Sequence, residues 1–189
     1  MLKSDIVLVG LGTSLTARGG WLDALAVHLS KRWAGRVRAV NLGGGGKDSN
    51  WGLTMLPKAI GARPDIVLVE FAVNDADIRL GVSLEQSKAN ARRIIAEIRR
   101  GAPRARICLM TMSPVLGAKA MLRPFLGSYY AAWKQVAAAE RVQLIDIYPL
   151  WRRYSLAQLR GMIPDGTHPT TEAAHAVTLP AVERALVGR

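Results

Sequence analysis

The sequence predicts a three-layer α/β/α domain built on a parallel sheet, and three features carry that prediction. Five short β-rich runs recur along the 189 residues. Each is close to continuously apolar, as a strand buried on both faces should be. The intervals between them carry helical spacing. Alternation of strand and helix over such intervals makes the strands parallel and puts helices on both faces. A sheet of this kind binds ligands beyond the carboxyl ends of its strands, so the residues after each run are where chemistry is to be sought.

The elements follow in order. The first run, Ile6 to Gly10, leads into Gly10-Leu11-Gly12-Thr13-Ser14-Leu15-Thr16. Trp21, Leu22, Leu25, Ala26, Leu29 and Trp33 then form one helical stripe. A second run, Val37 to Leu42, opens onto four consecutive glycines, Gly43 to Gly46. The third, Ile66 to Phe71, is followed by Asn74-Asp75. Ser83-Leu84-Glu85-Gln86 has the form of a capping box and opens a helix whose apolar face is Ala91, Ile94, Ile95 and Ile98. The fourth run is Ile107 to Thr111, a helix is expected over about Tyr129 to Glu140, and the fifth run is Val142 to Ile147. A last helix starts with Thr170 or Thr171 as N-cap, and Pro180 marks a kink or break in it. The longest irregular stretches are Gly43 to Leu53, Ser113 to Gly127 and Tyr154 to His168. No repeat or linker divides residues 1–189, which read as one domain.

Composition bounds the function. Half the residues are hydrophobic, enough for one sizeable core. The lone cysteine, Cys108, excludes an internal disulfide framework. The amino terminus carries only a five-residue apolar run, too short for a signal peptide, and no stretch reaches the ~18 apolar residues of a membrane span. A cytoplasmic, soluble protein is expected, or a secreted one if a leader has been removed. The net charge of +12 attracts anions without selecting among them. Its basic residues are dispersed, with no basic tail or aromatic-interleaved stripe, so they read as solvated surface and not as a nucleic-acid face; weak contact with anionic surfaces stays open.

Two phosphate-loop readings fail at the strand ends. A dinucleotide fingerprint counted from Gly10 needs glycine where Leu15 stands. A Walker loop ending at Lys47 needs glycine at Asn41 and a hydroxyl at Asp48. What remains after the first strand is a serine on a tight glycine-bearing turn near a helix start, where backbone N–H groups could face a developing anion. The alternative is that Ser14 merely caps the helix. The four glycines leave backbone N–H groups unshielded, and Asn74 offers a side-chain amide. Downstream, Asp165 and His168 stand three residues apart in a loop, a spacing that lets the carboxylate orient a ring able to take a proton from serine. His28 and His175 read as structural, and Cys108, inside the fourth run, as a small core residue. Glu70 and Asp77, at the third strand's exit, are assigned no step.

Together these blocks resemble the SGNH hydrolases, the GDSL-type esterases and lipases, in the family's order of Ser, Gly, Asn, then Asp and His. The resemblance implies a flavodoxin-like sandwich with five strands in the order 2-1-3-4-5. It implies that Ser14 is the nucleophile, His168 the general base and acid, and Asp165 its orienting partner. The oxyanion would be held by the N–H of Ser14, the N–H of Gly46 and the side chain of Asn74, with no metal or other cofactor. Three positions depart from the family's pattern. Thr13 replaces the aspartate of Gly-Asp-Ser-Leu, Ala72 replaces the glycine of Gly-x-Asn-Asp, and Lys47 puts a cation where an acid often stands, which could bias the mouth toward anionic substrates.

The expected activity is hydrolysis of short-chain carboxylic esters through an acyl-enzyme, of acetylesterase or arylesterase type, on a small-molecule ester. Lysophospholipase or thioesterase action at anionic surfaces stays open, as does a non-catalytic binding protein on the same scaffold. The segment from Ser113 to Phe125, with Val115, Leu116 and Met121, is the expected wall for substrate.

Overall fold

The computed structural model describes residues 5–188. The chain runs β1 (Asp5–Gly12), α1 (Ser14–Ala17), α2 (Trp21–Arg32), β2 (Arg36–Gly43), α3 (Ser49–Thr54), α4 (Leu56–Gly61), β3 (Ile66–Glu70) and α5 (Ala72–Asp75). It continues through α6 (Leu84–Gly101), β4 (Arg106–Thr111), α7 (Gly117–Met121), α8 (Leu126–Ala139), β5 (Gln143–Asp146), α9 (Tyr148–Trp151), α10 (Leu156–Met162) and α11 (Thr171–Val187). The five strands form one sheet in the order β2-β1-β3-β4-β5, every neighbouring pair parallel. This is the expected α/β/α sandwich. Helices α2 and α11 pack together in one layer, and α6 packs with α3, α4 and α8 in the other.

The strand sequences explain their places. Leu8, Val9 and Leu11 of β1 and all five residues of β3 are buried, as central parallel strands require. β2 is different: Arg36, Arg38 and Asn41 are exposed because it is an edge strand, where one side lacks a neighbour. Side chains from both helical layers join the sheet in one contiguous core, which includes the fully buried Trp21, Trp133 and Trp151. A buried indole N–H usually finds a partner, as it does at Trp21 and Trp133, whereas that of Trp151 has none among the described residues. Trp21 donates to the Leu15 carbonyl at 2.9 Å and Trp133 to the Ser87 hydroxyl at 2.9 Å.

Several local expectations change. Only half of the Ser83–Gln86 capping box forms: Ser83 accepts from the Gln86 N–H, but the Gln86 amide reaches forward to Asn90 at 2.7 Å. A reciprocal capping box does form at Ser155 and Gln158, inside a stretch read as irregular. The other two irregular stretches also contain helices, α3 and α7, each too short to show apolar periodicity. Thr170 caps α11, which continues through Pro180 without a break. Ala176, whose carbonyl would have accepted from position 180, is exposed, so solvent can satisfy it.

Candidate active site

The serine turn is built by a carboxylate beneath it. β1 pairs Gly12 with Glu70 at the carboxyl end of β3. The buried Glu70 carboxylate accepts from the Thr13 N–H at 2.6 Å, the Thr13 hydroxyl at 3.0 Å and the Thr16 hydroxyl at 2.8 Å. A β-carbon at residue 12 would stand 2.3 Å from that carboxylate, which is why the position is glycine. Thr13, not Ser14, is the N-cap of α1; its hydroxyl accepts from the Leu15 N–H at 3.2 Å. Ser14 is therefore released from capping, and its hydroxyl faces the site. Thr13 in place of aspartate leaves the turn anchored, because the carboxylate now comes from β3. Burial pushes the Glu70 carboxyl up to about 7, against the hydroxyl and N–H donors that pull it down.

His168 closes a chain of hydrogen bonds. Its Nε2 lies 2.7 Å from Ser14 Oγ and its Nδ1 2.6 Å from Asp165 Oδ2. The other Asp165 oxygen accepts the N–H groups of Thr167 at 2.8 Å and His168 at 2.7 Å, so one short loop sets both side chains. Burial works to raise the Asp165 carboxyl, but the donors of His168 and Thr167 outweigh it and hold it at about 2. The carboxylate is thus ionised across the whole working range of a protein, and an acceptor at Nδ1 leaves Nε2 to receive a proton from serine.

Two further donors line the same cavity as Ser14. Gly46 is the third residue of a turn closed by the Lys47 N–H to the Gly44 carbonyl at 3.3 Å, and its φ of 67° suits glycine at that place. Asn74, on α5, is buried and fixed at both ends. Its Nδ2 donates to the Lys47 carbonyl at 2.9 Å, and its Oδ1 accepts from Arg123 at 3.2 Å. Since guanidinium only donates and a carbonyl only accepts, the amide has one orientation. Arg123 is itself buried, donating to the Val73 carbonyl at 2.8 Å and paired with Asp77 at 2.9 Å. Hydrogen bonds from Arg79 above all, with Arg123 adding, hold the Asp77 carboxyl below its ordinary value. Sequence reasoning missed Arg123 and the service of Glu70 and Asp77, since none shares a local motif with the group it supports.

The apolar cavity nearest Ser14 is not lined by Val115, Leu116 or Met121. A cavity of about 30 Å³ opens beside Ser14, lined by Leu15, Trp21, Met112, Pro169 and Ala174 among others. Val115, by contrast, is buried in the core, Met121 is 77 % exposed, and Leu116 lines a neighbouring cavity beside Asp165. The reason is local: the Leu116 N–H is bound to the Gly166 carbonyl at 2.7 Å, and α7 then carries the chain outward. Lys47 is exposed and contributes its backbone carbonyl, not its charge. His28 pairs with Glu183 at 3.1 Å, far from this chain of groups in the fold's helical layer, and Cys108 is buried in β4. Among the described residues, no group of three or more His, Cys, Asp or Glu is arranged to hold a metal ion, and no helix is long and apolar enough to cross a membrane.

Comparison with known proteins agrees with this fold. A GDSL esterase/lipase of Arabidopsis thaliana is 30% identical over 128 residues, 60% of this chain and 50% of that protein, so the match spans about half the length of the relative. The solved lipase/acylhydrolase of Enterococcus faecalis superposes with a TM-score of 0.81 at 21% identity, over 95% of each chain. Axe2, an acetylxylan esterase of Geobacillus stearothermophilus, gives 0.81 at 20% identity, over 98% of this chain and 97% of that one. At such identities the likeness is one of fold. Residues 9–176 match the GDSL-like Lipase/Acylhydrolase family, and with the five-stranded order and the serine turn already described, the chain belongs to that family.

Proposed function

We propose that the protein is a serine esterase that hydrolyses short-chain carboxylic esters through an acyl-enzyme on Ser14. The observation that carries this reading is the continuous hydrogen-bonded chain from Ser14 Oγ through the His168 ring to Asp165. In the proposed reaction His168 takes the Ser14 proton as the oxygen attacks the ester carbonyl, then returns it to the departing alcohol. Water enters, His168 deprotonates it, and the acid leaves as Ser14 regains its proton. The oxyanion is met by the N–H groups of Ser14 and Gly46 and by the Asn74 amide, donors held in place before the substrate arrives. His168 works as a base only when neutral, so turnover should fall under acid conditions that protonate the ring.

The small apolar cavity supports a short acyl group. A water needs roughly 10–15 Å³ of such space, so about 30 Å³ suits an acetyl or propionyl tail and not a fatty chain. The test is a series of p-nitrophenyl esters of rising acyl length with Ser14→Ala beside the wild type. Turnover should be greatest on the shortest acyl groups and vanish in the variant, and a fluorophosphonate should label Ser14 in the wild type alone. No turnover above background by either protein, and no labelling, would instead mean a binding protein on a hydrolase scaffold.

A further inference from the structure

The second cavity at Ser14, about 410 Å³, differs in character from the apolar one. Besides Ser14, Gly45, Gly46, Asn74, Asp165, Thr167 and His168, its walls carry four cations: Arg18, Arg79, Lys119 and Arg123. Two carboxylates stand against these four charges. Asp77 is shared between Arg79 and Arg123, at 2.7 and 2.9 Å, and Asp165 is committed to His168 and its loop. Arg18 and Lys119 are exposed and make no ion pair among the described residues. Arg18 also leans over the glycine turn: its Nη2 lies 3.4 Å from where a β-carbon of residue 45 would project. An excess of positive charge therefore surrounds the side of the serine that the acyl tail leaves free.

Resting on the esterase reading above, we propose that this groove takes the alcohol half of the ester and selects alcohols bearing a negative charge, such as a carboxylate, sulfonate or phosphate. Opposite charge within a few ångströms of Arg18 and Lys119 favours binding both before and during attack, and the partial enclosure of the groove weakens screening by solvent. A neutral alcohol gains none of this, and a cationic one is repelled.

The test compares aryl acetates that differ in one substituent: 4-acetoxybenzoate, 4-acetoxybenzenesulfonate and 4-acetoxyphenyl phosphate against the neutral methyl 4-acetoxybenzoate. Each kcat/KM is divided by the ester's rate of alkaline hydrolysis, which removes intrinsic reactivity. The wild type should favour the anionic esters by about tenfold or more, less so as salt rises. Arg18→Gln and Lys119→Gln should each lower the anionic-to-neutral ratio about fivefold. Arg104→Gln, the same loss of charge at the opposite end of the sheet, should leave the ratio as it is. Cleavage of the neutral ester with a ratio near one, or a ratio that both groove variants leave intact, overturns the inference while the esterase reading stands. If no ester is cleaved and Ser14 resists fluorophosphonate, the esterase reading falls and takes this inference with it.

Discussion

Asn74 shows how much of a donor's value comes from the residues behind it. With its amide held between the Lys47 carbonyl and Arg123, one N–H is left for the cavity and cannot turn away. Asn74→Ala should slow turnover by two to three decades, the loss of about 3 to 4 kcal/mol expected of one oxyanion donor. Arg123→Lys keeps a charge near Asp77 but loses the forked geometry. It should lower kcat about tenfold with little change in KM, since the substrate does not gain the donor's full alignment until the oxyanion forms. The two effects should not add: in the Asn74→Ala background, Arg123→Lys should cost little more, which a double-mutant cycle in kcat measures. Ser14 and Asn74 were legible as residues because each sits in a short block after a strand, and Asp165 and His168 because three residues separate them in the loop before α11. Arg123 was not, since it lies 49 residues from Asn74 and nothing in Leu-Arg-Pro marks it. Glu70 was legible only as the end of an apolar run.

The elements divide along the same line. Central strands announce themselves as continuous apolar runs and long helices through periodicity, as β3 and α6 do. One-turn helices such as α1 and α5 have no period to read, yet they carry Ser14 and Asn74. Their boundaries are set by tertiary partners: Glu70 beneath α1, Arg123 beside α5. The partial capping box at Ser83 makes the same point, because Asn90 competes for the Gln86 amide. That asparagine also donates to the Ser49 hydroxyl at 2.8 Å and so fastens α6 to α3. At the glycine turn the open surroundings mislead. No atom lies within 4 Å of a β-carbon at residue 46, so space alone would allow alanine, but its φ of 67° would not. Gly46→Ala should cost about 1 kcal/mol of stability, or shift the turn to relieve it. In either case turnover should drop more than the urea midpoint does, as parallel kinetic and unfolding measurements would reveal.

Across the whole molecule, the carboxyls buried under the site tie stability to pH. Burial lifts Glu70 from 4.5 to about 7 and Asp75 from 3.8 to about 6. In the folded protein each keeps its proton over a range where the unfolded chain has lost it. Stability is therefore greatest below about pH 4 to 4.5 as far as these two groups decide, and is lost as pH rises toward 7, with Glu70 contributing about 3 kcal/mol of the fall. Asp165 acts in the opposite sense, but only in the window between about 2 and 3.8. Urea midpoints should decline from pH 5 to pH 8, and Glu70→Gln, fixed in the neutral form, should flatten that decline. The sheet order followed from the family resemblance, and with it the place of β3 between β1 and β4; the setting of the Glu70 side chain could not, because only the fold brings its carboxyl under Thr13 and Thr16. The parallel sheet has one more practical result. Every group gathered around Ser14 lies past a carboxyl strand end, whereas the turn at Pro103 and Arg104, just before β4, is exposed at the far edge. The sequence's one thiol, Cys108, is buried. A protein carrying Arg104→Cys should couple through that new position to a maleimide bead, and the immobilised molecules should turn over ester at nearly the rate of the free ones.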